Sequence, residues 1–423
     1  MLAARASTAR NAQRLARSFA TVVDTTGVKV AAVDYNQPTA SVTVLVKAGS
    51  RFEPKNGVAH ALKNFAFKST GSRSAIGTVR ESELYGGVLY SALGREHLAL
   101  TAEFLKEDAP YFVDVLTSFV TSAKFTRHEY EEYVAPHVSA ETEAATRDPA
   151  IFAVDAAHSL AFRSGLGSSL FAPAHNDLTV DDVKSYASSV FTKGNVAVIG
   201  TGIDQSTLTA LVEKAFAKVA ETSAVSAPSS KYFGGETRVA GHGGPQTVFV
   251  GFGTAGSPSA EHAALAAHLS TTPSVKWSKG LSPLSSLPEE TSVRPVYLPY
   301  SDASLFGLLV QGSTPSKVKE AGQAAVAALK AASKSIKAEE LKTAVAKAKF
   351  AAASSVDTRE GLVRTLGSKI FSSTDASLAA TLSSLDAVDA SAFSKATAAL
   401  LSAKPTYVAV GDAKLPYADE LGL

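Results

Sequence analysis

The chain has 423 residues, 45% hydrophobic and 19% charged, enough apolar material for a sizeable core and long for one compact domain. It contains no cysteine, which excludes disulfides, thiolate metal sites, iron–sulfur clusters and cysteine nucleophiles. The net charge of +2 belongs to the N-terminus, where Arg5, Arg10, Arg14 and Arg17 precede the first acid, Asp24; the remainder is slightly negative, so no nucleic-acid partner is expected.

Residues 1–19, MLAARASTARNAQRLARSF, are rich in Arg, Ala and Ser and free of acids, the composition of a mitochondrial transit peptide. Arg17-Ser18-Phe19 followed by Ala20 reads as a matrix-processing site, so the mature chain is expected to begin near Ala20. No run of about 18 or more apolar residues occurs after it, and no membrane span is expected.

A weak internal repeat organises what remains. Ser41-Val-Thr-Val-Leu-Val46 reads as a strand running into Ala48-Gly49-Ser50, and Thr247-Val-Phe-Val-Gly-Phe252 as a strand running into Ala255-Gly256-Ser257. A helix comes after each, over 57–68 and 260–269. Next come a strand and an amphipathic helix in both halves: 98–104 and 111–122, then 304–311 and 318–332. Helices beginning near Arg127 and Ala338 match in turn, and both halves close on a strand and a glycine turn, at 195–200 and 406–411. The offset between partners stays at roughly 203–211 residues, a regularity that points to duplication.

Residues 222–231, a Ser/Ala/Pro stretch with little to bury, read as a linker. The expected fold is α+β, with homologous half-domains at 20–221 and 232–423. Each is a largely antiparallel sheet with helices packed on one face.

The chemistry centres on His60-Ala61-Leu62-Lys63-Asn64. An H-x-x-E-H helix holds zinc with two imidazoles four residues apart and activates water with the glutamate beside them. Here the first histidine stands, lysine replaces the glutamate and asparagine replaces the second histidine. The pairs His137/Glu141 and His128/Glu132 have helical spacing but read as solvated faces. His262 and His268, six apart, are widely separated around their helix.

Ala48-Gly49-Ser50-Arg51-Phe52-Glu53, the motif helix with Phe65 and Phe67, Gly87 through Arg95-Glu96, and Gly411-Asp-Ala-Lys-Leu-Pro416-Tyr-Ala-Asp-Glu-Leu421 occur together in order. In this the chain resembles the inverted-motif zinc peptidases of the pitrilysin type. The family includes the mitochondrial processing peptidase and the core proteins of respiratory complex III. The resemblance covers essentially the whole mature chain and implies a metallopeptidase-like clam shell. It also implies a third zinc ligand at or near Glu141, with Glu143 as its neighbour. With His60 and one carboxylate the inventory falls short of the three protein ligands of a catalytic zinc. The expectation is therefore a chain with no catalytic residue, no bound metal and no cofactor.

The resemblance implies a scaffold role in a dimeric complex III, peripheral to the inner membrane on its matrix side. The expected partners are core protein 1, cytochrome b, cytochrome c1 and the other subunits. The alternatives are the non-catalytic alpha subunit of the processing peptidase and core protein 1 itself; the alpha subunit's glycine-rich recognition loop corresponds here to a segment around Trp277 with a single glycine.

Overall fold

The computed structural model describes residues 22–217 apart from 26 and 35, residue 219, and residues 225–272, 282–371 and 378–423. The transit-peptide reading of residues 1–19 and the Trp277 segment lie outside the described residues.

Runs of Val, Thr, Ile and Phe set the strands, since β-branched and aromatic side chains fit a pleated surface best. The first sheet contains β1 (Val23–Thr25), β2 (Val28–Val33), β3 (Thr39–Val46), β4 (Val88–Leu93), β5 (Leu98–Leu105) and β6 (Val196–Thr201), in the order β1-β2-β6-β3-β5-β4. Its β2 and β6 run parallel, and the other neighbours are antiparallel. The second sheet contains β7 (Gly235–Ala240), β8 (Gln246–Ala255), β9 (Thr291–Pro299), β10 (Ala303–Gly312) and β11 (Thr406–Gly411), in the order β7-β11-β8-β10-β9. Here β7 and β11 form the parallel pair. Strand for strand, the second order repeats the first without β1, so the repeat read from the sequence is a repeat of topology.

The core of the first sheet is closed by the helix Ala109–Ser122, whose Phe112, Val113, Leu116, Phe119 and Val120 recur at helical spacing and are all buried. Phe112 stacks on Phe104 of β5 at 4.6 Å and covers Gly87, where a Cβ would lie 2.0 Å from the ring. The helices Pro315–Lys334, Ala260–Leu269 and Ala390–Ser402 play the same part for the second sheet through Val318, Ala321, Ala325, Leu265, Phe393 and Leu400.

Helices on one face only was the sequence expectation, and it needs correction. In β8 every residue from Thr247 to Gly253 is buried, so both faces of the strand are covered. The second cover is the helix Pro149–Phe162. Its Ala153, Ala157 and Ala161 present a stripe of small side chains four apart, which lets the helix approach β8 and β11 closely. In the first sheet the helix Arg359–Ile370 lies against β3 and β6, with Gly367 where a Cβ would sit 2.9 Å from a Leu45 methyl. These two helices cut across the contiguous halves. Among the described residues, one compact unit comprises those from 22 to Glu141, Leu170–Ala227 and Val356–Ala379, and the other those of Thr142–Ser169, Pro228–Ser355 and Ala380–Leu423.

On the face covered by Pro149–Phe162, Gly251 and Gly307 stand directly opposite each other and the Phe249 ring fills the space both leave. A Cβ at Gly307 would fall 2.2 Å from the ring. Gly307→Ala is expected to cost about 1–3 kcal/mol by overpacking, read as a lowered urea midpoint with an unchanged slope.

Candidate functional site

The motif helix, Val58–Asn64, starts at Gly57, whose φ of 88° belongs to the left-handed region. A Cβ there would also lie 2.5 Å from the Ala172 methyl, so two constraints select glycine. Val58, Ala59, Ala61 and Leu62 anchor the helix in the core. His60, Lys63 and Asn64, at i, i+3 and i+4, share one face.

Facing them is Glu141 on the helix Ala135–Arg147. That helix is preceded by a π-helical turn, Tyr130–Val134. Pro136 offers no N–H to the carbonyl four residues back and its ring crowds that carbonyl, so the wider turn relieves both problems. The extra residue rotates the remainder of the helix, and Glu141 points at the motif helix. His137 stays exposed, as do His128, Glu132 and Glu143. His262 and His268 pack apart, against Tyr297 and Phe393.

The four residues read from the sequence therefore meet. The Lys63 ammonium donates to both Glu141 oxygens, each at 2.6 Å, and Asn64 Nδ2 donates to Oε2 at 2.9 Å. His60 Nε2 lies 2.6 Å from the same Oε2. The backbone N–H of Ala172 donates to His60 Nδ1 at 3.1 Å, so Nδ1 carries the lone pair and Nε2 the proton. Phe171 adds an edge-on ring contact at 5.7 Å, and His60 is 3% exposed.

This geometry sets the electrostatics. Burial, reinforced by Lys63, pushes His60 below its ordinary value and keeps the ring neutral, although Glu141 pulls the other way. For Glu141, partial burial opposes ionisation, but the donors Asn64, Lys63 and His60 outweigh it and bring the carboxyl down to about 2. Three hydrogen-bond donors thus converge on one carboxylate, with a fixed ammonium contributing the positive charge. A zinc ion needs lone pairs at those positions and no competing cation, so the residues present do not fit it. Among the described residues, no cluster of three or more His, Cys, Asp or Glu side chains is arranged to hold a metal.

Sequence reasoning missed two parts of the site. The first is the segment at Phe171–Ala172, which acts through a backbone N–H and leaves no residue-type signal. The second is Glu53, whose Oε2 accepts from the N–H groups of Gly57 at 3.1 Å and Ala59 at 3.2 Å while Oε1 is buried without a partner. Burial pushes this carboxyl up to about 7 against the pull of those amides and of Arg95. Between pH 4.5 and 7 the unfolded chain loses the Glu53 proton and the native chain keeps it, so stability falls as pH rises through that window. Glu53→Gln is expected to remove up to about 3 kcal/mol of this dependence, measured by urea titrations at pH 5 and pH 8.

The family motifs are also physically joined. Arg51 pairs with Glu96 at 2.8 Å with both side chains buried, and the Arg51 N–H bonds the Arg95 carbonyl at 2.8 Å. Gly49 passes so close that a Cβ would lie 2.2 Å from that carbonyl oxygen. Arg95 and Glu96 sit in the turn after the edge strand β4, not on the strand itself.

Residues 29–174 match the family described as Insulinase (Peptidase family M16). The chain is 43% identical to the mitochondrial cytochrome b-c1 complex subunit 2 of Cryptococcus neoformans var. grubii, over 99% of this chain and 98% of the relative. It is 38% identical to the protein of the same name from Yarrowia lipolytica, over 96% and 97%. A probable alpha-2 subunit of the mitochondrial-processing peptidase from Arabidopsis thaliana is 30% identical over 50% of this chain and 43% of the relative. Among solved structures, a protease from Helicobacter pylori superposes with a TM-score of 0.81, covering 93% of this chain and 99% of that one at 18% identity, a likeness of fold.

Proposed function

From the premise that the chain belongs to the mitochondrial cytochrome b-c1 complex subunit 2 family, we propose that it serves complex III as a non-catalytic core subunit. It retains a peptidase architecture as a structural part. The observation that carries the loss of chemistry is the Lys63–Glu141 contact: an ammonium at 2.6 Å from both oxygens takes the carboxylate that a metal would need. No side chain at the site offers a base in place of the missing glutamate, because the His60 lone pair is engaged by Ala172 N–H. We assign it no catalytic residue, no metal and no cofactor.

As partners we assign core protein 1, cytochrome b and cytochrome c1 within a dimeric complex, with the chain peripheral on the matrix side of the inner membrane. Among the described residues, no helix is long and apolar enough to cross a membrane, which supports attachment through other subunits. Peptidase-like sheets keep broad folded surfaces after chemistry is lost, and binding other chains is the role left to them.

The test is native electrophoresis of mitochondrial membranes in mild detergent, with detection of this chain and of cytochrome b. Co-migration in one large assembly is expected. Recovery in a free matrix heterodimer that cleaves presequences would instead assign the chain to the processing-peptidase alpha subunit. Metal analysis of the purified chain is expected to return far less than one zinc per chain, and a stoichiometric amount held against dialysis would contradict the reading.

A further inference from the structure

The helix Ala75–Leu84 is amphipathic the wrong way round. Its core-facing positions are the small polar Thr78 and Ser82, both buried, the first bonded to the Ser74 carbonyl and the second to the Tyr111 hydroxyl. Its outward positions are Ile76, Val79, Arg80, Glu83 and Leu84. Ile76 is 65% exposed, Val79 52% and Leu84 84%, and Tyr85 and Val88 continue the patch into the edge strand β4. A surface helix that turns its apolar residues to water marks an interaction site.

We propose that this face pairs with the same face of a second copy of the chain, the two helices running antiparallel about a two-fold axis. The argument is the arrangement of charge within the stripe. Arg80 and Glu83 have opposite signs, are both exposed, and pair with no other described residue. An axis passing between positions 81 and 82 sets Arg80 against Glu83 of the other copy, and Glu83 against its Arg80. Ile76, Val79 and Leu84 of the two copies flank these two ion pairs. Every contact then occurs twice, as an isologous interface requires. A partner of different sequence would have no need for such self-complementarity.

Ten residues of helix span about 15 Å. Together with Val88 this falls short of the roughly 800 Å² per side of a stable complex, so a micromolar dimer is expected. The pairing is a property of the chain itself and does not rest on the proposed function.

The experiment is sedimentation velocity of the purified full chain over a concentration series. The natural chain should pass from monomer to dimer in the micromolar range. Arg80→Glu and Glu83→Arg should each weaken the dimer by at least about tenfold, as should Leu84→Glu, with far-UV circular dichroism unchanged because all three positions are exposed. The diagnostic result is rescue: the double variant Arg80→Glu/Glu83→Arg should regain the natural affinity. So should an equimolar mixture of the two single variants, since a face acidic at both positions then meets a face basic at both. A natural chain still monomeric at about 100 μM, or charge reversals that fail to rescue each other, would overturn the pairing. So would a monomeric natural chain whose Leu84→Glu variant is lost from the membrane assembly, which would give the face to a different subunit.

Discussion

A chain carrying Lys63→Glu together with Asn64→His is expected to bind one zinc ion, and the natural chain none. The convergence a metal needs is already built. His60 Nε2 and Asn64 Nδ2 lie 2.6 and 2.9 Å from the same Glu141 oxygen, so an imidazole at 64 would reach the volume between them. Replacing Lys63 removes the ammonium that holds both Glu141 oxygens and would repel a dication. The opposing effect comes from Ala172. Zinc on Nε2 forces the His60 proton to Nδ1, where it meets the Ala172 N–H donor to donor. Losing that bond and burying the clash costs about 1–3 kcal/mol, so the affinity should fall roughly 10- to 100-fold below that of a relaxed site. Asn64→His alone should bind nothing, because the ammonium remains. Metal analysis and chelator competition across the three variants check this. A zinc-free double variant would mean that the helices are not held where the hydrogen bonds place them. Cleavage of presequence peptides is expected to stay absent even when zinc binds.

Much of this architecture is legible in local patterns, and what is not depends on long-range contact. The strands β3, β8, β10 and β11 fall within a few residues of their β-branched runs, and Ala260–Leu269 lies where its helical spacing puts it. The two helices that cross between the sequence halves were not foreseen, because Pro149–Phe162 reads as an ordinary apolar helix. The usable signal lies in its partner strand: β8 has no polar alternation between Val248 and Phe252, which a strand covered on one side would show. At the site, the residue types at 60, 63, 64 and 141 announce a damaged zinc motif, and the structure places all four in contact. Sequence could not reveal that lysine binds the surviving carboxylate, since that rests on a π-turn forced by Pro136. Glu53 was legible only as part of a family pattern, because its raised pKa comes from an unpaired oxygen in a buried place. The helix Ala75–Leu84 has the opposite difficulty: its Ile76, Val79 and Leu84 suggest a core face until burial shows them turned outward.

Replacing Glu141 with alanine is expected to destabilise the native state by about 2 kcal/mol. A fully buried ion pair broken on one side costs about 3–5 kcal/mol and an exposed one about 0–1 kcal/mol. Here the lysine is 15% exposed and the carboxylate 41%, which sets the expectation between them after allowing for solvent screening. The loss includes an ammonium and an imidazole N–H left with no acceptor among the described residues. Lys63→Met in the same chain should recover part of it, because the orphaned charge goes with it. The pH dependence separates this from a general loss of packing. Glu141 titrates near 2, below the ordinary carboxylate value, so its contribution is fully present above about pH 4.5 and disappears as pH falls towards 2. His60 works in the other direction. Its folded value is depressed by burial, so the unfolded chain takes the proton first as pH drops below about 6.5, and the native state loses stability. Without Glu141 the ring loses the partner that favoured its charged form, and that decline steepens. The stability gap between natural and variant chains should therefore widen from pH 7 to pH 5 and narrow again below about pH 4.5. Urea titrations at closely spaced pH values measure it, and a gap that stays constant from pH 7 to pH 3 would show that the carboxylate serves only to fill space between two helices.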